Sequence, residues 1–363
     1  MPAIRDCHVF AFYLYDVAET IDLAVIPGLI AGPAVAARLA PKPATPAYVQ
    51  YEKPPLSFDG EAVGVGEIDS FRVRVRVYDY GVISIRLAQG FAGTWDELVS
   101  MGESLIESAD LEQRAEALAH TIVDRLQPSL AGGRSTFLTE DYLVYAVNEL
   151  DEPLTAQALV RAHGGAIAAM LRGERQLSAQ EQDKVLGHAI SYLSDDLVVP
   201  TWNAAFIYDT PAGAAAALEI MEFANSQLLE LRYYDALLDG ELGATYARLQ
   251  RPHPLARWVG SRYFRTAQRV NALIIDVNEL SDRTENALKF IGDIYAVRLF
   301  RLVADRLGLE TWKANVQEKL ATLGEIARFA LDQSTASRGE FLEVTIVLIL
   351  VLELALVFLG IMK

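Results

Sequence analysis

Three arginines alternate with apolar residues in Phe71 to Tyr78, FRVRVRVY. Arg72, Arg74 and Arg76 fall on one face of a strand, and Phe71, Val73, Val75 and Val77 on the other. Such a row could hold phosphate or an acidic partner, because the planar guanidinium fork matches an oxyanion. Alternation of this kind is also what a solvated face of an antiparallel sheet shows, with carboxylates of the same chain as counter-ions. The residues alone leave both destinations open.

Other residues that could do chemistry give mostly negatives. The histidines are His8, His120, His163, His188 and His253, and no two have the spacing of a metal-binding helix. His163-Gly164-Gly165 has the composition of an oxyanion-hole turn. It sits in a helical stretch, however, and no Gly-x-Ser-x-Gly elbow accompanies it. Gly64-Val65-Gly66 lacks the third glycine of a dinucleotide fingerprint, since Asp69 stands there, and no Walker-type Gly-Lys-Ser/Thr occurs. Asp195-Asp196 and Asp235 with Asp239 read as solvated carboxylates at helix ends. Trp202, Asn203, Phe206 and Tyr208 read as core. No catalytic residue, cofactor site or metal site is assigned, and the chain is not expected to be an enzyme.

Composition limits the partners. The 363 residues carry a formal charge of −16 and a pI near 4.8, which disfavours broad attraction to nucleic acid. No sequence-specific nucleic-acid binding is expected. Cys7 is the single cysteine, so a disulfide framework and a cysteine-based zinc site are excluded. The N-terminal residues MPAIRDCHVFAFYLYD lack a basic region followed by a long apolar core, the pattern of a cleavable signal.

The elements that must position these residues predict an α+β fold. Residues 1–150 read as strand (His8 to Leu14), helix (Asp16 to Leu39), a hairpin (Phe71 to Tyr78 and Val82 to Leu87 around Asp79-Tyr80-Gly81), helix from Thr94 to about Leu126, and strand (Thr136 to Glu149). That order is a split βαβ, ferredoxin-like module with helices on one face. Residues 151–210 add two helices, the second opened by a Ser178/Glu181 capping box, and a strand that Pro200 starts or breaks.

Residues 211–340 read as a long helical hairpin, a coiled-coil-like stalk jointed at Arg251-Pro252-His253-Pro254. One long helix is expected from Ala212 to about Arg248 and a second from Leu255 to about Leu302. A turn at Asp305 to Leu309 leads into a last helix from Glu310. Val270, Leu273, Val277, Leu280 and Ile291 on one side, and Val316, Leu320 and Leu323 on the other, have the 3–4 spacing of stalk or oligomer packing. The alternative is that these helices fold back fully on the body.

The last stretch, FLEVTIVLILVLELALVFLGIM, runs from Phe341 to Met362 with Glu343 and Glu353 as its charges. As a helix it reaches roughly 33 Å, enough for a hydrocarbon core of about 30 Å. It is therefore expected to be a transmembrane helix, with Phe341, Ile346, Leu350, Val357 and Met362 within the span. Glu353 is then either protonated or paired with a neighbouring helix. With QSTASRG (Gln333 to Gly339) as a hinge, this describes a tail-anchored protein of a bacterial inner membrane, its body in the cytoplasm.

Several of these segments carry a family resemblance. Gly308-Leu309-Glu310, Val316-Gln317-Glu318-Lys319-Leu320, Arg338 and Phe341-Leu342-Glu343 running into an apolar stretch with Glu353 resemble the tail of the "required for meiotic nuclear division" family, a domain-of-unknown-function family. One departure is Val344, where many members have tryptophan. The resemblance implies a bacterial member without catalytic residues, homo-oligomeric, with translation at the membrane as the setting and a ribosome-linked partner. The first functional expectation is thus a non-enzymatic scaffold or tether on a lipid bilayer that docks a cytosolic protein. The second is an enzyme or small-anion-binding protein with its pocket in the α+β body.

Overall fold

The computed structural model of the chain describes residues 3–36, 54–63, 71–106, 108–250, 268, 270–275, 277–278 and 294–358. The chain divides into two compact units, Met1–Tyr233 with Thr284–Trp312, and Tyr234–Arg283 with Lys313–Lys363.

The first unit is built on a mixed sheet. Its strands are β1 (Ile4–Asp16), β3 (Val35–Ala36), β4 (Leu56–Asp59), β5 (Arg72–Val77), β6 (Val82–Gly93), β8 (Leu138–Leu150), β9 (Leu197–Pro200) and β10 (Ala204–Tyr208). A separate two-stranded ladder joins β2 (Thr20–Ile21) to β7 (Leu130–Ala131). The eight-stranded order is β3-β4-β5-β6-β1-β8-β10-β9. β1 lies at its centre, antiparallel to both neighbours, with Phe10 opposite Ala88 on one side and Val144 on the other. β10 runs parallel to β8, which requires a crossover, and helices α3 (Ala156–Arg172) and α4 (Ala179–Leu186) provide it.

Strand periodicity sorts the side chains onto two faces. Cys7, Val9, Ala11, Tyr13 and Tyr15 of β1, Val73, Val75 and Val77 of β5, and Ile83, Ile85 and Leu87 of β6 enter one apolar core. The buried stripes of α1 (Trp95–Ile106), α2 (Ala109–Leu126), α3 and α4 complete it. The opposite face carries Phe12, Leu14, Asp16, Ser84 and Arg76, all buried. It meets the first half of α5 (Pro211–Gln250). Helices therefore cover both faces.

The ferredoxin-like expectation is corrected here. Among the described residues no α-helix lies between Asp16 and Leu39: β1 runs on to Asp16, and Val17 donates its backbone N–H to Gly81 at 3.0 Å. A 3-10 turn spans Ile26–Gly28, and β3 follows. Apolar spacing in that segment suits a helix, but Pro27 and Pro33 interrupt it and the sheet captures its start. Without that first crossover helix the β-α-β-β-α-β order is lost, and the sheet continues beyond residue 150 into β10 and β9.

Local signals set several boundaries. Thr94 and Glu97 form a reciprocal capping box: Thr94 Oγ1 accepts from the Glu97 N–H at 3.3 Å, and Glu97 Oε2 accepts from the Thr94 N–H at 2.8 Å. Ser178 Oγ accepts from the Glu181 N–H at 3.2 Å at the start of α4. Gly81 turns the β5–β6 hairpin at φ 94°, where an added Cβ would stand 1.9 Å from the Ala18 carbonyl oxygen.

Continuous helix runs through α5 for 40 residues despite Gly240 and Gly243. Residues 270–275 and 277–278 are helical, while most of the second long helix expected from Leu255, with Leu280 and Ile291, lies outside the described residues. α6 (Ile294–Leu307) ends at Gly308, φ 68°, and α7 (Leu309–Phe358) follows directly. Gln333 to Gly339, expected as a polar hinge, is helical within α7.

The transmembrane expectation is also corrected. Among the described residues, no helix is long and apolar enough to cross a membrane. The single C-terminal span, the tail anchor and the inner-membrane placement are therefore not supported. Met362 lies outside the described residues.

Candidate functional site

Of the arginine row Arg76 meets α5, and among the described residues Arg74 and Arg76 are paired within the chain. Arg72 is exposed. Arg74 bonds Asp59 on the neighbouring strand at 3.0 Å. Arg76 is 6% exposed and meets two carboxylates of α5, Glu219 at 3.3 Å and Glu222 at 3.1 Å. Arg86, on β6, approaches the same Glu222 oxygen at 3.8 Å. The two glutamates stand three residues apart, on one face of the helix, and the arginines alternate along the strand. The periods of helix and sheet together therefore fix the register of α5. Burial raises the carboxyl pKa of Glu219, and the Arg76 charge opposes that shift.

Further along the same face the contacts stay polar. The Tyr80 hydroxyl lies 2.7 Å from Ser226 Oγ and accepts from Gln227 Nε2 at 3.1 Å. Asp16, fully buried, accepts from Arg134 Nε at 2.7 Å, and that guanidinium lies 3.7 Å from the centre of the Tyr233 ring. Arg232 pairs with Glu140. Burial pushes the Asp16 pKa up to about 6 against the pull of Arg134. The sequence marks none of these partners, because each pair joins residues far apart along the chain.

The remaining chemical candidates have structural roles. His163 is buried in α3 and stacks on Trp95. Asp196 accepts from the backbone N–H groups of Tyr192 and Leu193 at 2.6 and 2.9 Å, closing a turn. Asp235 and Asp239 both bind Lys319, each at 2.7 Å. Cys7 is wholly buried, and burial raises its thiol pKa, so it is no nucleophile at neutral pH. Phe206 and Tyr208 join the core, whereas Trp202 is 62% exposed. Among the described residues no three His, Cys, Asp or Glu side chains stand close enough to hold a metal ion.

The packing residues are used inside one chain. Val270, Leu273, Val277, Val316, Leu320 and Leu323 are each buried to 8% exposure or less. What the described structure leaves uncovered is a different surface, Ile346 to Leu352 of α7. These are seven consecutive large apolar residues, each 51–63% exposed. At about 3.6 residues per turn they occupy every direction around the helix. Glu353 follows, also exposed.

Comparison with known proteins places the fold in a group. Uncharacterized protein MJ0711 of Methanocaldococcus jannaschii is 23% identical over 292 residues, which covers 79% of this chain and 82% of the relative. No solved structure matches. The tail resemblance to the meiotic nuclear division family is corrected accordingly, because the matching family model is a different one and covers residues 6–215, the sheet and its helices rather than the tail. The chain belongs to the family described as "Uncharacterized protein MJ0711, N-terminal domain".

Proposed function

We propose that the protein is a self-assembling scaffold whose copies join through the apolar part of α7. The observation that carries this reading is the uncovered run Ile346 to Leu352. Monomeric proteins rarely expose contiguous apolar patches beyond a few hundred Å². Seven such side chains, each more than half exposed, present on the order of 700 Å², close to the roughly 800 Å² per partner of a standard interface.

A second copy is the fitting occupant for two reasons. The described heptad-like residues, Val270, Leu273, Val277, Val316, Leu320 and Leu323, are already buried within one chain, which favours other apolar surface for assembly. The exposed residues also surround the helix, so two or more partner helices cover more of the run than a single partner can. Glu353 would then lie between copies and share a proton or hydrogen bond. A ribosome-linked partner, implied by the tail resemblance, is a separate expectation that co-sedimentation with ribosomal particles tests.

Light scattering on the full chain at micromolar concentration tests the assembly. A trimer or larger species is expected, with Ile349→Glu/Leu352→Glu reduced to monomer and an unchanged circular dichroism spectrum. Glu353→Leu is expected to alter the assembly size. A monomeric wild type would overturn the reading, as would monomers that enter lipid vesicles instead of associating.

A further inference from the structure

We infer that the basic concavity around His188 is a binding site for a small molecule carrying two phosphoryl groups. The site lies in the first unit and does not depend on assembly.

Its inner part has a volume of about 120 Å³ and is lined by Arg172, Lys184, His188 and Arg306, with Pro200 to Trp202 at the side. That is several times the roughly 10–15 Å³ needed to seat a single water, and leaves room for a phosphoryl group with its oxygens. An adjoining concavity of about 320 Å³ shares His188 and adds Arg298 and Arg301. Five arginine or lysine side chains thus converge, with no carboxylate in either lining, on a chain of charge −16. A net acidic protein that concentrates cations in a concavity builds a local positive potential suited to a polyanion.

The hydrogen bonds point the same way. Arg172 is held by Glu181 at 2.6 Å. Arg306 is held by Asp305, and its Nη1 donates to His188 Nε2 at 2.6 Å. That donation requires a lone pair on Nε2, so the neutral ring carries its proton on Nδ1. These partners fix both guanidinium groups, yet the Nε–H of each is buried without an acceptor. A bound oxyanion would supply the acceptor that these donors lack. Lys184, Arg298 and Arg301 form no ion pair among the described residues.

Two groups are implied by the layout. One phosphoryl fits the inner part, against Arg172, Lys184 and Arg306. Arg298 and Arg301, three apart on α6, face the outer concavity and would receive the second. The exposed Trp202 at the inner rim offers a flat face to an organic remainder.

Calorimetric titration of the full chain with inorganic pyrophosphate and with inorganic phosphate, at ionic strength matched by sodium chloride, tests the assignment. Saturable binding of pyrophosphate with one site per chain is expected, about tenfold tighter than phosphate. Arg306→Gln and Lys184→Gln should weaken it by about tenfold each, and Arg301→Gln, an exposed change that leaves the fold intact, should remove most of the preference for pyrophosphate. Arg72→Gln, on the sheet face, should bind like the wild type. No saturable heat at millimolar pyrophosphate would overturn the inference, as would unchanged binding in Lys184→Gln and Arg301→Gln. Equal affinity for the two anions would overturn the two-group assignment.

Discussion

The Trp95 indole lies nearly parallel to the His163 imidazole, with ring centroids 4.3 Å apart and 13° between the planes. Phe206 borders the same indole at 6.0 Å, and His163 Nε2 is buried without a hydrogen-bond partner. Burial holds the His163 pKa below its ordinary 6.5.

A pH dependence follows with a definite sign. The unfolded chain takes up the proton near pH 6.5, and the folded chain only at lower pH, so the stability this residue contributes is present above about 6.5 and is lost as pH falls below it. Urea unfolding of the wild type and His163→Phe between pH 7.5 and 5 checks this. The wild type is expected to lose stability more steeply over that range than the variant.

Asp16 and Arg134 give the opposite sign. The folded-state pKa of Asp16, about 6, stands above its ordinary 3.8, so its contribution is fully present below 3.8 and is lost as pH rises through 6. Arg134→Met strips the counter-charge from a fully buried carboxylate. A loss of about 3–5 kcal/mol is expected at pH 8, and a smaller loss at pH 5, where the carboxyl takes up a proton. Denaturant unfolding at the two pH values reads the difference, and equal losses would contradict the reading.

The Arg76–Glu222 pair suits a double-mutant cycle. Arg76→Met leaves Glu222, 1% exposed, beside a guanidinium that is farther away, and should cost about 3–5 kcal/mol. Adding Glu222→Leu removes the stranded charge. The double variant is expected to recover about 2 kcal/mol or more relative to additivity. Additive losses would show that the two charges do not stabilise one another.

At Gly81, alanine meets both strain and contact, since φ is 94° and the new Cβ would collide with the backbone of Ala18. Gly81→Ala should destabilise by on the order of 3 kcal/mol, visible as a lower thermal midpoint. Gly240→Ala, in the middle of α5 with open space around it, should instead be neutral or stabilise by up to about 1 kcal/mol.

Much of the local architecture was legible in the residues. Strict alternation in FRVRVRVY defines β5 and its two faces, because a pleated strand sends successive side chains to opposite sides. The capping patterns at Thr94 and Ser178 mark helix starts through hydrogen bonds spanning three residues, and Gly308 marks a helix end by its positive φ. The long α5 follows from a helical pattern that two glycines weaken but do not stop. These signals act within one turn or one strand, so the chain carries them wherever it folds.

What residues 16–36 become was not legible, since their apolar spacing suits a helix, whereas partner strands draw Asp16, Thr20–Ile21 and Val35–Ala36 into β-ladders. Nor was the fate of the arginine row, since Glu219 and Glu222 lie more than a hundred residues from Arg76, and the sequence does not say which face α5 covers. Arg172, His188 and Arg306 show the same limit, because they meet only where the crossover helices and α6 converge. Periods, caps, turns and the net negative charge can all be read from the residues, because each depends on neighbours along the chain or on composition. Which charges pair, which cations remain unpaired and which apolar helix surface stays uncovered emerge only in the folded chain, because desolvation and ion pairing depend on distance through space.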